Sequence, residues 1–141
     1  MILLDTNVVS EPLKLSGDPG VLSWMDAQII ETLYLSTISL AELRFGIAAL
    51  APGKRRDTLH ASFEQRILPL FVGRILSFDA AAAEAYAVLR AHARAQGHAI
   101  APADGYIAAT AISHGLMVAT RDTAPFKAAG LNVINPWHIQ G

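Results

Sequence analysis

The 141-residue sequence contains no cysteine. Disulfide bonds, thiolate nucleophiles and cysteine metal sites are therefore excluded, and the composition fits a reducing compartment. No stretch approaches the roughly 18 uncharged apolar residues that a membrane-spanning helix needs. Residues 1–4 run directly into Asp5, without the basic leader and long apolar region of a signal peptide. These absences predict a cytoplasmic protein that does not enter a membrane.

The sequence also lacks an excess of charge of either sign, with a formal net charge of −1. No global basic field therefore indicates direct binding to nucleic acid. Lys54, Arg55 and Arg56 form a local basic cluster, which we interpret as a solvated helix start. The composition therefore neither proves nor excludes a phosphate-bearing substrate. The composition is 52% hydrophobic, which fits a sheet buried on both faces, a subunit interface, or both.

Several catalytic signatures are missing as well. The five histidines lack the HExxH spacing of a zinc hydrolase. No GxSxG motif, phosphate-binding P-loop or dinucleotide GxGxxG motif occurs, so covalent hydrolase and nucleotide-binding chemistry lack support. Trp24 and Trp137 could stack on nucleic-acid bases, but we expect them to pack in the core or at an interface.

Short apolar segments alternate with helical patterns along the whole chain. Asp18-Pro19, Asp79 and Pro102 mark helix starts, and Gly97 and Gly115 mark helix ends. Strands are predicted at residues 2–4, 34–38, 75–78, 116–120 and 131–134. A helix is also expected from Ser39, and another with Leu59, Phe63 and Ile67 four residues apart, stopping at Pro69. The alternation predicts an α/β fold in which helices flank a central parallel sheet of about five strands, as a single domain over residues 1–141.

Four acidic residues lie where these apolar runs give way to a turn or helix. Asp5 follows the first strand, Glu42 lies one helical turn past the second, and Asp122 follows the fourth. Asp104 occupies the first turn of the helix that leads into the fourth strand. Open parallel sheets bind ligands at the carboxyl ends of their strands. Carboxylates gathered there repel one another unless cations neutralise them, and Mg²⁺ and Mn²⁺ prefer oxygen ligands. We therefore expect a divalent-metal site.

Each acid has a structural alternative. Ser39 and Glu42 have the spacing of a capping box, in which the glutamate bonds back to the helix start. Asp104 is favoured by the dipole of its helix, Asp122 could cap the short helix that follows, and Asp5 could cap a turn. Four unrelated caps need not converge, whereas metal ligands must.

These motifs resemble those of the PIN-domain ribonucleases of bacterial toxin–antitoxin pairs, the VapC-type toxins, and most closely their trafficking-toxin branch. The resemblance runs through residues 3–7 (LLDTN), 41–44 (AELR), 103–111 (ADGYIAATA), 119–123 (ATRDT) and 135–137 (NPW). It implies a three-layer α/β/α PIN-like fold. It also implies a catalytic Mg²⁺ or Mn²⁺ site made by Asp5, Glu42, Asp104 and Asp122, with Asp5 and Asp104 the most dependable ligands. The polar residues expected to support it are Thr6, Asn7 and Thr120.

The resemblance further implies an endoribonuclease toxin that forms a homodimer. Its partner would be a cognate DNA-binding antitoxin, of the ribbon–helix–helix type or related, whose C-terminal tail blocks the acidic pocket. DNA would be contacted only through that antitoxin. Many relatives carry Asn at the position of Asp122 and Asp at that of Pro125, although the trafficking-toxin branch shares Asp122.

Two rival functions remain open. One is a non-catalytic PIN-like subunit that acts only through antitoxin binding and transcriptional repression. The other is a phosphoacceptor signalling domain, which would need a lysine after a late strand. Lys127, the only lysine in the C-terminal third, lies between the fourth and fifth strands and disfavours this reading.

Overall fold

The computed structural model of the protein describes residues 1–139. One five-stranded sheet organises the fold. Its strands are β1 (Ile2–Leu4), β2 (Leu33–Ser36), β3 (Ile75–Leu76), β4 (Met117–Ala119) and β5 (Val133–Ile134). Their spatial order is β3-β2-β1-β4-β5, and every neighbouring pair is parallel. The predicted parallel sheet of about five strands is confirmed.

The α-helices connect and cover these strands. They are α1 (Thr6–Val9), α2 (Pro19–Ala27), α3 (Thr37–Ala48), α4 (Lys54–Ser62), α5 (Ala80–Ala95), α6 (Pro102–Ser113) and α7 (Thr123–Ala128). A π-helical turn at Phe63–Ile67 and a 3₁₀ turn at Leu68–Phe71 continue α4. None of the helices in residues 1–139 combines the length and apolar character needed to cross a membrane.

Several of the predicted boundaries were wrong. The third strand ends at Leu76 rather than residue 78, the fourth covers Met117–Ala119 rather than 116–120, and the fifth begins at Val133 rather than residue 131. The second strand ends at Ser36 rather than residue 38, because the Ser36 hydroxyl accepts a hydrogen bond from the Ser39 N–H (3.0 Å) and starts α3 at Thr37. The helix expected to stop at Pro69 continues to Phe71. Proline is tolerated there because it lies in the first turn of a 3₁₀ segment, where its missing N–H removes no necessary bond.

Side-chain alternation along the strands builds a core on each face of the sheet. On β1, Leu3 points to one face while Ile2 and Leu4 point to the other. The face of Ile2 and Leu4 packs against α1, α2, α3 and the π-helical turn, and the face of Leu3 packs against α5, α6 and α7. The result is the expected three-layer α/β/α arrangement, which buries the short apolar strands on both sides.

Glycines end the two long helices that cover the Leu3 face. Gly97 and Gly115 have φ values of 77° and 67°, which favour glycine. Beyond α6, the Leu116 N–H donates to the Ala111 carbonyl (2.9 Å) and the Gly115 N–H to the Ile112 carbonyl (3.1 Å). This hydrogen-bond pattern closes the helix and turns the chain directly into β4.

The strand order places a topological switch point between β1 and β4. From β1 the chain moves to β2 and β3 on one side, and later returns to β4 and β5 on the other. Connections from the two neighbouring strands therefore leave in opposite directions and open a crevice at their carboxyl ends. Asp5 follows β1 and Thr120 follows β4 at this crevice.

Candidate functional site

Asp5 lies at the centre of the crevice and is only 5% exposed. Its backbone N–H donates to the Ala119 carbonyl (2.9 Å), which continues the pairing of β1 with β4 past the last strand residue. One carboxylate oxygen accepts from the Thr6 N–H and the other from the Thr120 hydroxyl, both at 2.8 Å. The structural alternative expected a cap on a turn at this position. Asp5 does form a cap, on the short helix α1, but the same carboxylate also links the ends of two strands.

Thr120 connects this carboxylate to the loop that follows β4. Its hydroxyl donates to Asp5 and accepts from the Asp122 N–H (3.1 Å) and from the Asn7 side-chain amide (3.4 Å). Since a hydroxyl has one proton and two lone pairs, its hydrogen-bonding capacity is fully used. The Asn7 side-chain oxygen accepts from the Arg121 N–H (3.3 Å). Thr120 and Asn7 thus fix the backbone of residues 120–122 beside Asp5.

Glu42 is joined to the same centre through Thr6. The Thr6 hydroxyl oxygen lies 2.6 Å from Glu42 Oε1 and 3.0 Å from the Ser39 hydroxyl oxygen. Because the ionised glutamate only accepts, the single Thr6 proton goes to Glu42 and the Ser39 hydroxyl donates to Thr6. The capping-box alternative for Glu42 is wrong: Ser36, not Ser39, is the N-cap of α3, so Glu42 lies beyond the position that reaches back to the cap.

Asp104 enters from α6, whose N-cap is Ala101. The side chain is half-buried, and burial is the largest cause of its raised pKa, followed by the negative charges of Asp122 and Glu42. Asp122 precedes α7 but makes no side-chain cap to that helix. The cap expected as its structural alternative is therefore not formed.

The pKa of Asp5 is also affected by the charge of Glu42, together with that of Asp104. Burial raises the pKa of Asp5 from 3.8 to about 6, the hydrogen bonds from Thr120 and Thr6 oppose that rise, and the charges of Asp104 and Glu42 add to it. The structure therefore brings all four predicted acids into one electrostatically coupled group. Each comes from a different segment, after β1, in α3, in α6 and after β4.

No basic side chain within residues 1–139 forms an ion pair with any of these four acids; the ion pairs found there join Lys14 to Glu11 and Arg44 to Glu64. In the same part of the chain, no three carboxylate or imidazole side chains stand close enough to form a complete set of metal ligands. Mg²⁺ keeps several waters and needs only one or two carboxylates. The donor set, oxygen-only and without a neutralising cation, fits such an ion.

Comparison with known proteins agrees with this geometry. The family model described as PIN domain matches residues 2–131. The chain belongs to the PIN domain family. This PIN domain is 59% identical over 137 residues to VapC ribonuclease Y4jK of Sinorhizobium fredii, covering 97% of this chain and 98% of that protein. It is 56% identical over 138 residues to toxin FitB of Neisseria gonorrhoeae, covering 98% and 99% of the two chains.

A solved structure of FitAB bound to an IR36 DNA fragment has the same fold. It matches with a TM-score of 0.96 and 54% identity, covering 100% of this PIN domain and 99% of the matched chain. The resemblance inferred from the sequence motifs is therefore confirmed.

Sequence reasoning missed some residues that build the site. Ser36 and Ser39 are fully buried and connect β2 to Thr6. The run of hydroxyl residues before Glu42 was a signal for them, but it was interpreted as a capping box. Also missed was the contact of Arg121 with Trp137, whose indole packs against the core as expected while the guanidinium carbon lies 5.2 Å from the ring centroid.

Proposed function

We propose that this PIN domain is a Mg²⁺- or Mn²⁺-dependent endoribonuclease and the toxin of a type II toxin–antitoxin pair. The observation that carries the proposal is the convergence of Asp5, Glu42, Asp104 and Asp122 at the crevice between β1 and β4, without a neutralising basic partner in the described chain. The names of its relatives, a VapC ribonuclease and toxin FitB, support the choice of RNA as substrate and of toxin as role.

A bound divalent ion would activate a water for attack on the phosphodiester and stabilise the charge of the leaving oxygen. Asp5 and Asp104 would hold the ion. The hydrogen bonds from the Thr6 N–H and the Thr120 hydroxyl hold both oxygens of Asp5 in place and favour its ionised form. Hydrolysis by a water molecule is expected to leave a 5′-phosphate and a 3′-hydroxyl.

Glu42 and Asp122 would complete the acidic centre. Glu42 Oε1 is held by Thr6, so its second oxygen is the one to orient a water or to assist a second ion. Asp122 is positioned through its backbone N–H on Thr120, which leaves its carboxylate to act at the metal. Thr6, Asn7 and Thr120 would be positioning residues.

We further infer a cognate antitoxin. FitAB, the matched complex, is bound to DNA, and this chain has a net charge of −1, so DNA would be reached through the partner. That partner would be a ribbon–helix–helix or related protein, and a basic side chain of its C-terminal tail would suit the acidic crevice. The toxin would be a homodimer.

Cleavage of a long single-stranded RNA transcript by the purified protein tests the proposal. We expect cleavage with Mg²⁺ or Mn²⁺, none in excess chelator, and a loss exceeding the roughly 10–100-fold typical of supporting residues for Asp5→Asn and Asp104→Asn. The matched control is Asp26→Asn, an exposed acid on α2, which should cleave like the wild type. Full activity of Asp5→Asn refutes the proposed site. A wild type that binds antitoxin but never cleaves RNA would be the non-catalytic subunit instead.

A further inference from the structure

Arg121 stands between two members of the candidate site. Its neighbours are Thr120, which donates to Asp5, and Asp122, one of the four acids. The Arg121 N–H donates to the Asn7 side chain (3.3 Å), and the Asp122 N–H donates to the Thr120 hydroxyl (3.1 Å). The main chain that carries Arg121 is therefore fixed at the edge of the acidic centre.

The Arg121 side chain is directed onto Trp137, which follows β5. The guanidinium carbon lies 5.2 Å from the indole centroid. The Trp137 side chain is half-buried and packs against the core, and its backbone N–H donates to the Asn135 side-chain oxygen (3.0 Å). The indole is thus a fixed surface, and stacking on it restrains the guanidinium.

Two other arginines in the described chain lie over aromatic rings, and both use their N–H groups. Arg44 over Phe63 forms an ion pair with Glu64, and Arg90 over Tyr86 donates to the tyrosine hydroxyl. Within residues 1–139, the Arg121 guanidinium makes neither an ion pair nor a hydrogen bond. Its donors are therefore available for an anion, even though one neighbour in the chain, Asp122, is an acid.

A positive side chain beside the acidic centre would reduce the repulsion between the crevice and an RNA phosphate. When ionised, the four acids carry four negative charges, of which one divalent ion neutralises two, and a phosphodiester approaching the remainder is repelled. Among the first two residues that follow each of the five strands in the described chain, Arg121 is the only arginine or lysine. A planar guanidinium binds phosphate oxygens in a bidentate manner, which suits it to an RNA backbone.

We propose that Arg121, stacked on Trp137, binds a phosphate of the RNA substrate beside the acidic centre and so positions the strand for cleavage. The inference rests on the proposed ribonuclease function and adds the residue that holds the substrate. Arg121 is a substrate-binding residue in this account, and Trp137 is its positioning residue.

Steady-state cleavage kinetics test the inference. The probe is a labelled 12-nucleotide RNA that contains a cleavage site mapped from wild-type digestion of a longer transcript. For Arg121→Gln we expect KM to rise about tenfold, which is the loss of affinity typical of removing one charge-assisted hydrogen bond. The kcat should stay within about twofold of the wild-type value. The slope of log(kcat/KM) against log salt should become shallower by about 0.7, as for one lost contact with a single strand.

Arg94→Gln is the matched control, because it removes the same charge at the C-terminal end of α5, away from the carboxyl ends of the strands. It should leave both constants unchanged. Arg121→Lys keeps the charge without the planar donor pair and should raise KM by only about threefold. Trp137→Phe should raise KM less than Arg121→Gln does. The double variant should raise KM no more than Arg121→Gln alone, because Trp137 acts through Arg121. Stabilisation by Mn²⁺ should match wild type in Arg121→Gln, because the acidic centre is intact.

Three results would overturn the inference while leaving the ribonuclease standing. They are an unchanged KM in Arg121→Gln, an equal rise in Arg94→Gln, and a fall in kcat at constant KM. An unchanged RNA KM together with weakened antitoxin binding would reassign Arg121 to the protein partner. If the wild type cleaves no transcript, the proposed function is refuted and the inference falls with it.

Discussion

Removing the charge of Asp5 should stabilise the metal-free protein. This carboxyl is 5% exposed, and its pKa is raised from 3.8 to about 6. At pH 8 the folded state must keep an ionised group that burial and two nearby acids disfavour. The raised pKa corresponds to about 3 kcal/mol of lost stability relative to acid pH.

A lost hydrogen bond offsets part of the stability that Asp5→Asn gains by removing this buried charge. The wild-type carboxylate accepts from the Thr6 N–H and from the Thr120 hydroxyl. An amide presents one oxygen and one NH₂ group, and the Thr120 oxygen already accepts from Asp122 and Asn7. One hydrogen bond is therefore lost, at a cost of about 1 kcal/mol. The variant should be more stable than the wild type by about 2 kcal/mol at pH 8, or about 6 °C in Tm.

The stability that Asp5→Asn gains over the wild type should increase with pH. Because the pKa of Asp5 is higher in the folded state than in the unfolded chain, its contribution to stability is full below about pH 4 and is lost as the pH rises through about 6. The advantage of Asp5→Asn should therefore be largest above pH 7. Near pH 4 only the lost hydrogen bond remains, and the variant should be about 1 kcal/mol less stable than the wild type.

Urea unfolding in excess chelator at pH 8 and pH 4 measures both quantities, with Asp26→Asn as the control that removes an exposed charge. Lower stability of Asp5→Asn at pH 8, or an advantage that persists unchanged at pH 4, would refute the reasoning. The first result would mean that the cap made by Asp5 outweighs its burial and repulsion, and the second that the advantage does not come from removing the charge.

Three further predictions concern the metal and the packing around it. Mn²⁺ at a hundredfold excess over its Kd should stabilise the wild type by about 2.7 kcal/mol and Asp104→Asn by clearly less; equal shifts in a thermal melt would exclude Asp104 as a ligand. Gly105→Ala should lower the free energy of unfolding in urea by about 2 kcal/mol, because the added carbon would lie 2.8 Å from the Tyr86 ring. The control Gly46→Ala on α3 meets open space and should raise that free energy by about 0.5–1 kcal/mol. An unchanged stability of Gly105→Ala would contradict the close contact. Ser36→Ala should lose about 1 kcal/mol by removing the N-cap of α3, and an unchanged unfolding free energy would show that the cap contributes nothing.

The sheet was predictable because its strands are short, apolar and separated by clear helix signals. Both faces are covered, so the strands had to be nearly continuous apolar runs. Their ends were less predictable. Thr37 and Ile38 have strand-like side chains, yet the hydroxyl of Ser36 captures a backbone N–H and starts a helix there. A single local hydrogen bond outweighed β-propensity at this boundary.

The acidic group was predictable from topology, since carboxyl ends of parallel strands meet at one edge. The polar network around it was not. The hydrogen bond from Thr6 to Glu42 spans 36 residues, and that from Thr120 to Asp5 spans 115. The Arg121–Trp137 contact likewise joins the segments after β4 and β5. Such pairs depend on side-chain positions that only the folded packing determines, and no local pattern signals them.

The most direct test of the central claim is a crystal structure of the protein grown with Mn²⁺, with the ion located by its anomalous scattering. We expect an ion at the carboxyl ends of β1 and β4, bonded to oxygens of both Asp5 and Asp104. An ion bound elsewhere, or a fully soaked crystal in which these two carboxylates bind none, would contradict the account.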